Sequence, residues 1–261
     1  SVLKVEELRC WHAVGGTPWS PVWLKAVDGV SFELRAGESL GVVGASGCGK
    51  STLCRALMGL NPIRGGRVDL LGQDLLNLRG EALRFARRAL QMVFQDPLAC
   101  LNPALQVADA IADPLLIHRL CSKAAAREEA RRLLQQVGLS PAEQFQERLP
   151  KQLSGGQQQR VAIARALALQ PKVLICDESV SMLDAEVQAD VLALLRELQQ
   201  ELGLAIIFIT HDLSVASGFC HRVMVLDEGK VVEEGPGDRI FSAPQAQISQ
   251  TLVEACPRLP R

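Results

Sequence analysis

The chain of 261 residues lacks any apolar run approaching the ~18 residues that a membrane-spanning helix requires. Its most apolar stretches are short, Leu204 to Ile209 among them, and predict buried strands. No basic-then-apolar leader opens the sequence, which predicts a chain retained in the cytosol, so that any membrane role comes through a partner. An excess of one charge is missing as well. Lys and Arg number 28 against 29 Asp and Glu, and a formal net charge of -1 excludes a nucleic-acid binder driven by bulk charge. Internal repeats and low-complexity tracts are absent. The eight cysteines (Cys10, Cys48, Cys54, Cys100, Cys121, Cys176, Cys220, Cys256) include no C-x-x-C pair, and the four histidines stand at no ligand spacing. Reduced, mostly buried thiols are therefore expected, not a metal centre.

What is present is a large apolar fraction, 48% of residues, enough for a sizeable core. Val2 to Val5 has strand content and is followed by turn signals at Gly15-Gly16-Thr17-Pro18; Ala26 to Leu34 predicts a second, hairpin-type strand. Leu40 to Val43 reads as a buried strand running into a glycine-rich loop and a helix from about Lys50. Strand content returns at Gly66 to Leu71 and Leu90 to Phe94. Ala124 to Val137 has helical periodicity and a Gly138 stop, and marks a helical insertion after Asp96. Then follow a helix from about Gly156 to Leu169, a strand at Val173 to Cys176, a helix from about Ala185 to Leu202 and a strand at Ala205 to Ile209. Val187, Val191, Leu194, Leu198 and Leu202 line one face of the second helix. A hairpin centres on Asp227-Glu228-Gly229-Lys230. Such alternation predicts an α/β fold with a mostly parallel sheet.

Gly44-Ala45-Ser46-Gly47-Cys48-Gly49-Lys50-Ser51, with Thr52 behind it, matches G-x-x-x-x-G-K-[ST] in full, between a predicted strand and a predicted helix. In that context backbone N–H groups and the helix start bind phosphate, Lys50 reaches the β- and γ-phosphates, and the Ser51 hydroxyl ligates Mg²⁺. GTPases, kinases and helicases all remain open on this motif alone. Downstream, Val173-Leu174-Ile175-Cys176 delivers Asp177 and Glu178 at the carboxyl end of a buried strand, where ligands of open α/β sheets sit. Asp177 suits the Mg²⁺ shell, and Glu178 suits polarisation of an attacking water.

Leu153-Ser154-Gly155-Gly156-Gln157 resembles the LSGGQ signature of ABC (ATP-binding cassette) ATPases. The remaining motifs of that family follow in order. Gln95 resembles the Q-loop glutamine that touches Mg²⁺ or water, Ser181-Met182-Leu183-Asp184 resembles the D-loop, and His211 resembles the switch histidine that contacts the γ-phosphate. Where the family places an aromatic against adenine, commonly Tyr, this chain has no Tyr, and Trp11 takes the position, with Trp19 and Trp23 nearby. Phe94-Gln95-Asp96-Pro97, Leu101-Asn102-Pro103 and Asp177-Glu178-Ser179-Val180-Ser181 are similar to the peptide and nickel importer subfamily. The tail departs from it: Cys256 alone cannot hold the iron–sulfur cluster some subunits carry, and Ala243-Pro244-Gln245-Ala246 replaces a frequent His-Pro-Tyr.

The resemblance implies a P-loop NTPase core with an N-terminal antiparallel β region and a helical subdomain at about residues 96–159. The cassette would cover residues 1–243, and 244–261 would be a short C-terminal appendage. It implies an ATPase using ATP and Mg²⁺ to power solute import, of peptides or nickel; an exporter ATPase or a non-transport ABC ATPase is the alternative. Ser51, Gln95 and Asp177 would hold the metal, Glu178 and His211 would act with Gln95 at the γ-phosphate, and Asp184 would lie at the shared nucleotide. Ser154, Gly155, Gly156 and Gln157 would close over nucleotide held by a second ATPase subunit, identical or paralogous. Two permease subunits and an extracytoplasmic solute-binding protein would complete the importer, with no nucleic acid. The chain would sit peripherally at the cytoplasmic face of the inner membrane.

Overall fold

Two long antiparallel strands, β1 (Leu3–Thr17) and β2 (Ser20–Leu34), open the chain. The structure is a computed structural model that describes residues 1–17 and 20–256. Sequence patterning predicts two short strands with a turn at Gly15 to Pro18, whereas Gly15 and Gly16 lie within β1. The reason is a series of register shifts, between Val5 and Leu8, Cys10 and His12, and Ala13 and Gly15, that break the two-residue alternation without ending the strand. Then come β3 (Ser39–Val43), α1 (Lys50–Leu57), β4 (Gly65–Leu70), β5 (Gln73–Asp74) and α2 (Gly80–Ala86). β2, β1, β4 and β5 form a four-stranded antiparallel sheet in that spatial order.

Residues Arg88–Leu204 make a separate unit. It holds β6 (Leu90–Val93), α3 (Val107–Ile117), α4 (Lys123–Gln136), α5 (Gly155–Leu167), β7 (Val173–Asp177) and α6 (Ala185–Leu202). β6 and β7 pair in parallel, Val93 opposite Cys176. Ile111, Leu134, Val161, Ile163 and Leu195 form its core with essentially no exposed surface. The helix α3 carries Pro114 in its interior, which hides it from pattern reading because proline ordinarily ends a helix. On α6 the buried face is Val191, Leu194, Leu195 and Leu198, while Leu202 is 43% exposed, so the apolar stripe does not reach the last turn.

From Ala205 the chain rejoins the first unit, Ser1–Arg87. The elements are β8 (Ala205–Ile209), α7 (Leu213–Phe219), β9 (Arg222–Asp227), β10 (Lys230–Pro236), α8 (Gly237–Ser242) and α9 (Gln247–Ala255). β3 pairs in parallel with both β8 and β9, Val42 facing Ile209 on one side and Met224 on the other, and β10 closes the edge antiparallel to β9. Every residue of β3 and β8 is buried, as expected of a parallel sheet covered on both faces. Five cysteines (Cys10, Cys48, Cys54, Cys176, Cys220) are buried, Cys100 and Cys256 are half-buried, and Cys121 is exposed. Among the described residues no helix is long and apolar enough to cross a membrane.

Candidate functional site

The candidate residues fall into two groups, one on each unit. In the first, β3 ends at Val43 and the chain turns through Gly44 to Gly49 into α1. Gly44 and Gly49 have φ of 154° and 111°; a Cβ on them would overlap the backbone carbonyl oxygens of Leu226 and Ala26 respectively. Both ends of the loop are therefore seated against neighbouring strands, and Ala45, Ser46 and Gly47 form its exposed rim. Lys50 is only 5% exposed. Its ammonium donates to the carbonyl oxygens of Gly44 (2.7 Å) and Ala45 (2.9 Å), and Cys48 Sγ lies 3.8 Å away. Ser51 and Thr52 are half-buried in the first turn of α1.

His211 belongs to the same group for a topological reason. β8 lies beside β3 in parallel, and Thr210 N–H donates to the Val42 carbonyl (3.3 Å), so the chain leaving β8 starts beside the loop. Thr210 Oγ1 accepts from Asp212 N–H (3.0 Å), and Asp212 Oδ1 caps α7 by accepting from Ser214 N–H (2.8 Å), Ser214 Oγ–H (2.5 Å) and Val215 N–H (3.3 Å). The exposed His211 is held between these two tethered residues.

Of the tryptophans, Trp11 is half-buried on β1 with Lys25 Nζ 4.9 Å from its ring centroid, while its Nε1 is buried with no hydrogen-bond partner among the described residues. Trp23 carries the Arg64 guanidinium 4.0 Å from its ring and shares with Gly47, Lys25, Asp28 and Glu228 the wall of a cleft of about 480 Å³. Trp11 is not part of that wall, and Trp19 lies outside the described residues. The sequence signal for the cleft was weak, because β2 reads as a strand only from Ala26 onward.

In the second group, β7 carries Asp177, 7% exposed, at its end. Burial pushes the neighbouring Cys176 thiol up to about 12, which keeps it protonated and chemically quiet. Glu178 follows at φ 46°, a left-handed conformation that a residue with a side chain adopts at a cost. Its carbonyl accepts from Ser181 N–H (3.1 Å) and Ser181 Oγ–H (2.8 Å), and Gln95 Nε2 donates to the same Ser181 Oγ (3.4 Å). The β6–β7 register accounts for this meeting, since Gln95 is two residues past Val93 and Asp177 one past Cys176. Sequence order alone did not bring Gln95 and Ser181 together.

Ser154 caps α5. Its Oγ accepts from Gln157 N–H (3.3 Å) and Gln157 Oε1 accepts from Ser154 N–H (3.0 Å), a reciprocal capping box. Ser154 and Gly155 are exposed, Gly156 is buried. Asp184 Oδ1 likewise caps α6 through Val187 N–H (3.0 Å).

A core strand feeding a phosphate loop, with an acidic strand end and a capped Ser-Gly-Gly helix start elsewhere in the chain, is the arrangement of an ATP-binding cassette. The family model described as ABC transporter matches residues 27–181, and the chain belongs to that family. Oligopeptide transport ATP-binding protein OppF of Salmonella typhimurium is 47% identical over 261 residues, covering 98% of this chain and 78% of that protein. Dipeptide transport ATP-binding protein DppF of Escherichia coli is 48% identical over 259 residues, covering 99% and 77%. Among solved structures, the dimeric post-hydrolysis state of the ATP-binding cassette MJ0796 bound to ADP and Pi superposes with a TM-score of 0.78 at 31% identity, covering 90% of this chain and 98% of that one. The cbiO1 structure from Clostridium perfringens, part of the cbiONQ transporter complex, gives 0.79 at 29% identity over 93% and 91%.

Proposed function

We propose that this chain is the ATP-hydrolysing subunit of an importer of peptides. The observation that carries the reading is the coexistence, in one chain, of a phosphate loop with a tethered lysine and a second Ser-Gly-Gly helix start whose Ser154 and Gly155 are exposed and which carries its own Ser154–Gln157 capping box. The relatives described above are named for oligopeptide and dipeptide transport, which favours peptides over nickel.

The residues suit ATP and Mg²⁺. The seating of Gly44 and Gly49, which a Cβ would fill, leaves the loop backbone free to approach a phosphate closely, and among the described residues Lys50 has only backbone carbonyls and a thiol to leave when phosphate oxygens compete for it. Mg²⁺, when bound, would be held by Ser51, Gln95 and Asp177 and would supply positive charge to offset that of the phosphates. On the phosphate-loop unit Lys50 binds the phosphates, Ser51 is a metal ligand and His211 contacts the γ-phosphate. On the other unit Asp177 and Gln95 are metal ligands, and Glu178 orients water and accepts its proton. Ser154, Gly155, Gly156 and Gln157 complete the site of a second cassette, with Asp184 beside it. Among the described residues Trp11 and Trp23 are the candidate tryptophans for adenine, and Trp23 borders a cleft with Gly47 of the phosphate loop.

Within this reading the cassette spans 1–243, with the helical subdomain at about 96–159 inserted and 244–261 appended. Two permeases and a solute-binding protein complete the importer, and the chain works at the cytoplasmic face of the inner membrane. The test is peptide uptake into vesicles carrying the assembled transporter. ATP-dependent uptake that is lost with Lys50→Ala is expected; uptake that persists in that variant overturns the reading.

A further inference from the structure

The β9–β10 turn repeats the backbone of the β4–β5 turn. Asp227 pairs with Lys230 across Glu228-Gly229 at φ 45° and 77°, and Leu70 pairs with Gln73 across Leu71-Gly72 at φ 54° and 82°. Both are two-residue hairpin turns, left-handed at both central positions. Their surroundings differ. A Cβ on Gly72 meets nothing within 4 Å, whereas one on Gly229 would lie 2.5 Å from the Lys25 carbonyl oxygen and 2.9 Å from that of Ala26, both in β2. Gly229 N–H donates to the Cys48 carbonyl of the phosphate loop (2.9 Å), and the Gly229 carbonyl accepts from Asp28 N–H (2.8 Å). A Cβ on Gly49 would come within 3.6 Å of Gly229 Cα. The turn is thus threaded between β2 and the loop, and only a residue without a side chain fits there.

From this contrast we infer that the β9–β10 turn is a clamp on the phosphate loop, with Gly229 as a positioning residue for nucleotide binding. The Cys48 carbonyl and the Gly49 N–H share one planar trans peptide and point in opposite directions. Pinning that carbonyl to Gly229 therefore aims the Gly49 N–H away from the turn and fixes its angle. Through Asp28 the same residue ties the loop to the stretch of β2 that walls the cleft beside Gly47. Gly229 itself touches no nucleotide in this account; it acts through the peptide between Cys48 and Gly49. The inference rests on the reading of Gly44 to Ser51 as the phosphate site.

The two turns supply a matched control, since alanine at either glycine meets the same backbone strain. With the 261-residue chain, binding of trinitrophenyl-ATP with Mg²⁺ and thermal unfolding are measured for Gly72→Ala, Gly229→Ala, Gly229→Asn and Lys50→Ala. Both alanine variants lower Tm, but only Gly229→Ala weakens binding, by about tenfold or more, as expected when reacting groups are displaced by a fraction of an ångström. Asparagine tolerates the left-handed conformation yet keeps the Cβ, so Gly229→Asn binds as weakly as Gly229→Ala. Wild-type affinity in Gly229→Ala, or its restoration by asparagine, overturns the clamp. Lys50→Ala separates the two levels. If it binds nucleotide normally the phosphate-site reading itself fails, and if it does not while Gly229→Ala binds normally, only the clamp fails. Should the Gly229 variants not fold, amide exchange of the wild-type chain decides. Mg²⁺-ATP slows exchange at Gly229 by about tenfold or more and leaves Gly72 unchanged; equal response at the two amides contradicts the clamp.

Discussion

Two helices of this protein begin at glycine-rich segments, and they are finished to very different degrees. The start of α1 is enclosed: Lys50 is 5% exposed and doubly bonded to the loop's own carbonyls, and Gly49 is pressed against β2. The start of α5 is more open: Gly156 is buried, but Ser154 and Gly155 lie at the surface, and the Ser154–Gln157 capping box satisfies two of its amides. A segment that serves its own chain gains from being locked by that chain. One that serves a second chain must stay uncovered until the partner arrives. On the proposed reading the signature segment is half of a site, and its capping box keeps it helical before a partner covers it.

The largest effect that bears on this contrast is at the enclosed start. Lys50→Ala is expected to abolish nucleotide binding and lower hydrolysis by on the order of 10³-fold, with the fold retained, as judged by nucleotide titration, ATPase assay and circular dichroism. Hydrolysis should fall next most, by roughly a hundredfold or more, in Glu178→Gln, while nucleotide binding persists, because the carboxylate is asked to handle the water and not the phosphates. Normal turnover in that variant would mean that another carboxylate does the work.

Ser154 sharpens the comparison at the open start. Aspartate caps helices as well as serine does, so Ser154→Asp should leave Tm nearly unchanged, whereas Ser154→Ala should cost about 1 kcal/mol. If the segment meets phosphate, Ser154→Asp instead suffers the greater loss of hydrolysis in the assembled transporter, since it sets a carboxylate against an anion. Activity that follows Tm in the two variants would reduce Ser154 to a cap. The smallest effect concerns Cys176, whose thiol is raised to about 12. Between the ordinary thiol range near ~9 and that value the unfolded chain ionises and the folded one does not, so this group lowers stability as pH rises through the window. Alkylation should accordingly reach the exposed Cys121 long before Cys176 below that pH, and early labelling of Cys176 would show that β7 opens readily.

Much of this architecture was legible because two local codes agree with the fold. The strand–loop–helix at Leu40 to Leu57 and the apolar run ending in Asp177 and Glu178 carry their structure in four to eight consecutive residues. The helices predicted from about Gly156 and Ala185 were likewise readable, whereas the hydrogen bonds that cap them at Ser154 and Asp184 came from the structure. What stayed hidden depends on register. β1 and β2 run on to Thr17 and from Ser20 because bulges absorb the broken alternation, and α3 proceeds through Pro114. The Gln95–Ser181 contact follows from the parallel pairing of β6 with β7, which no single segment encodes. The role of Gly229 was invisible for the same reason, since a Glu-Gly turn predicts a hairpin but not what the hairpin presses on.

The most direct test of the half-site account uses the assembled transporter, with only this cassette carrying Ser154→Asp and the two cassettes distinguishable by a tag. An azido-ATP is trapped during turnover and the labelled chain identified. If the signature serves the other chain, label persists on the variant's own phosphate loop and is lost from its partner's. Loss from the variant's own loop, with the partner's label intact, would contradict the account.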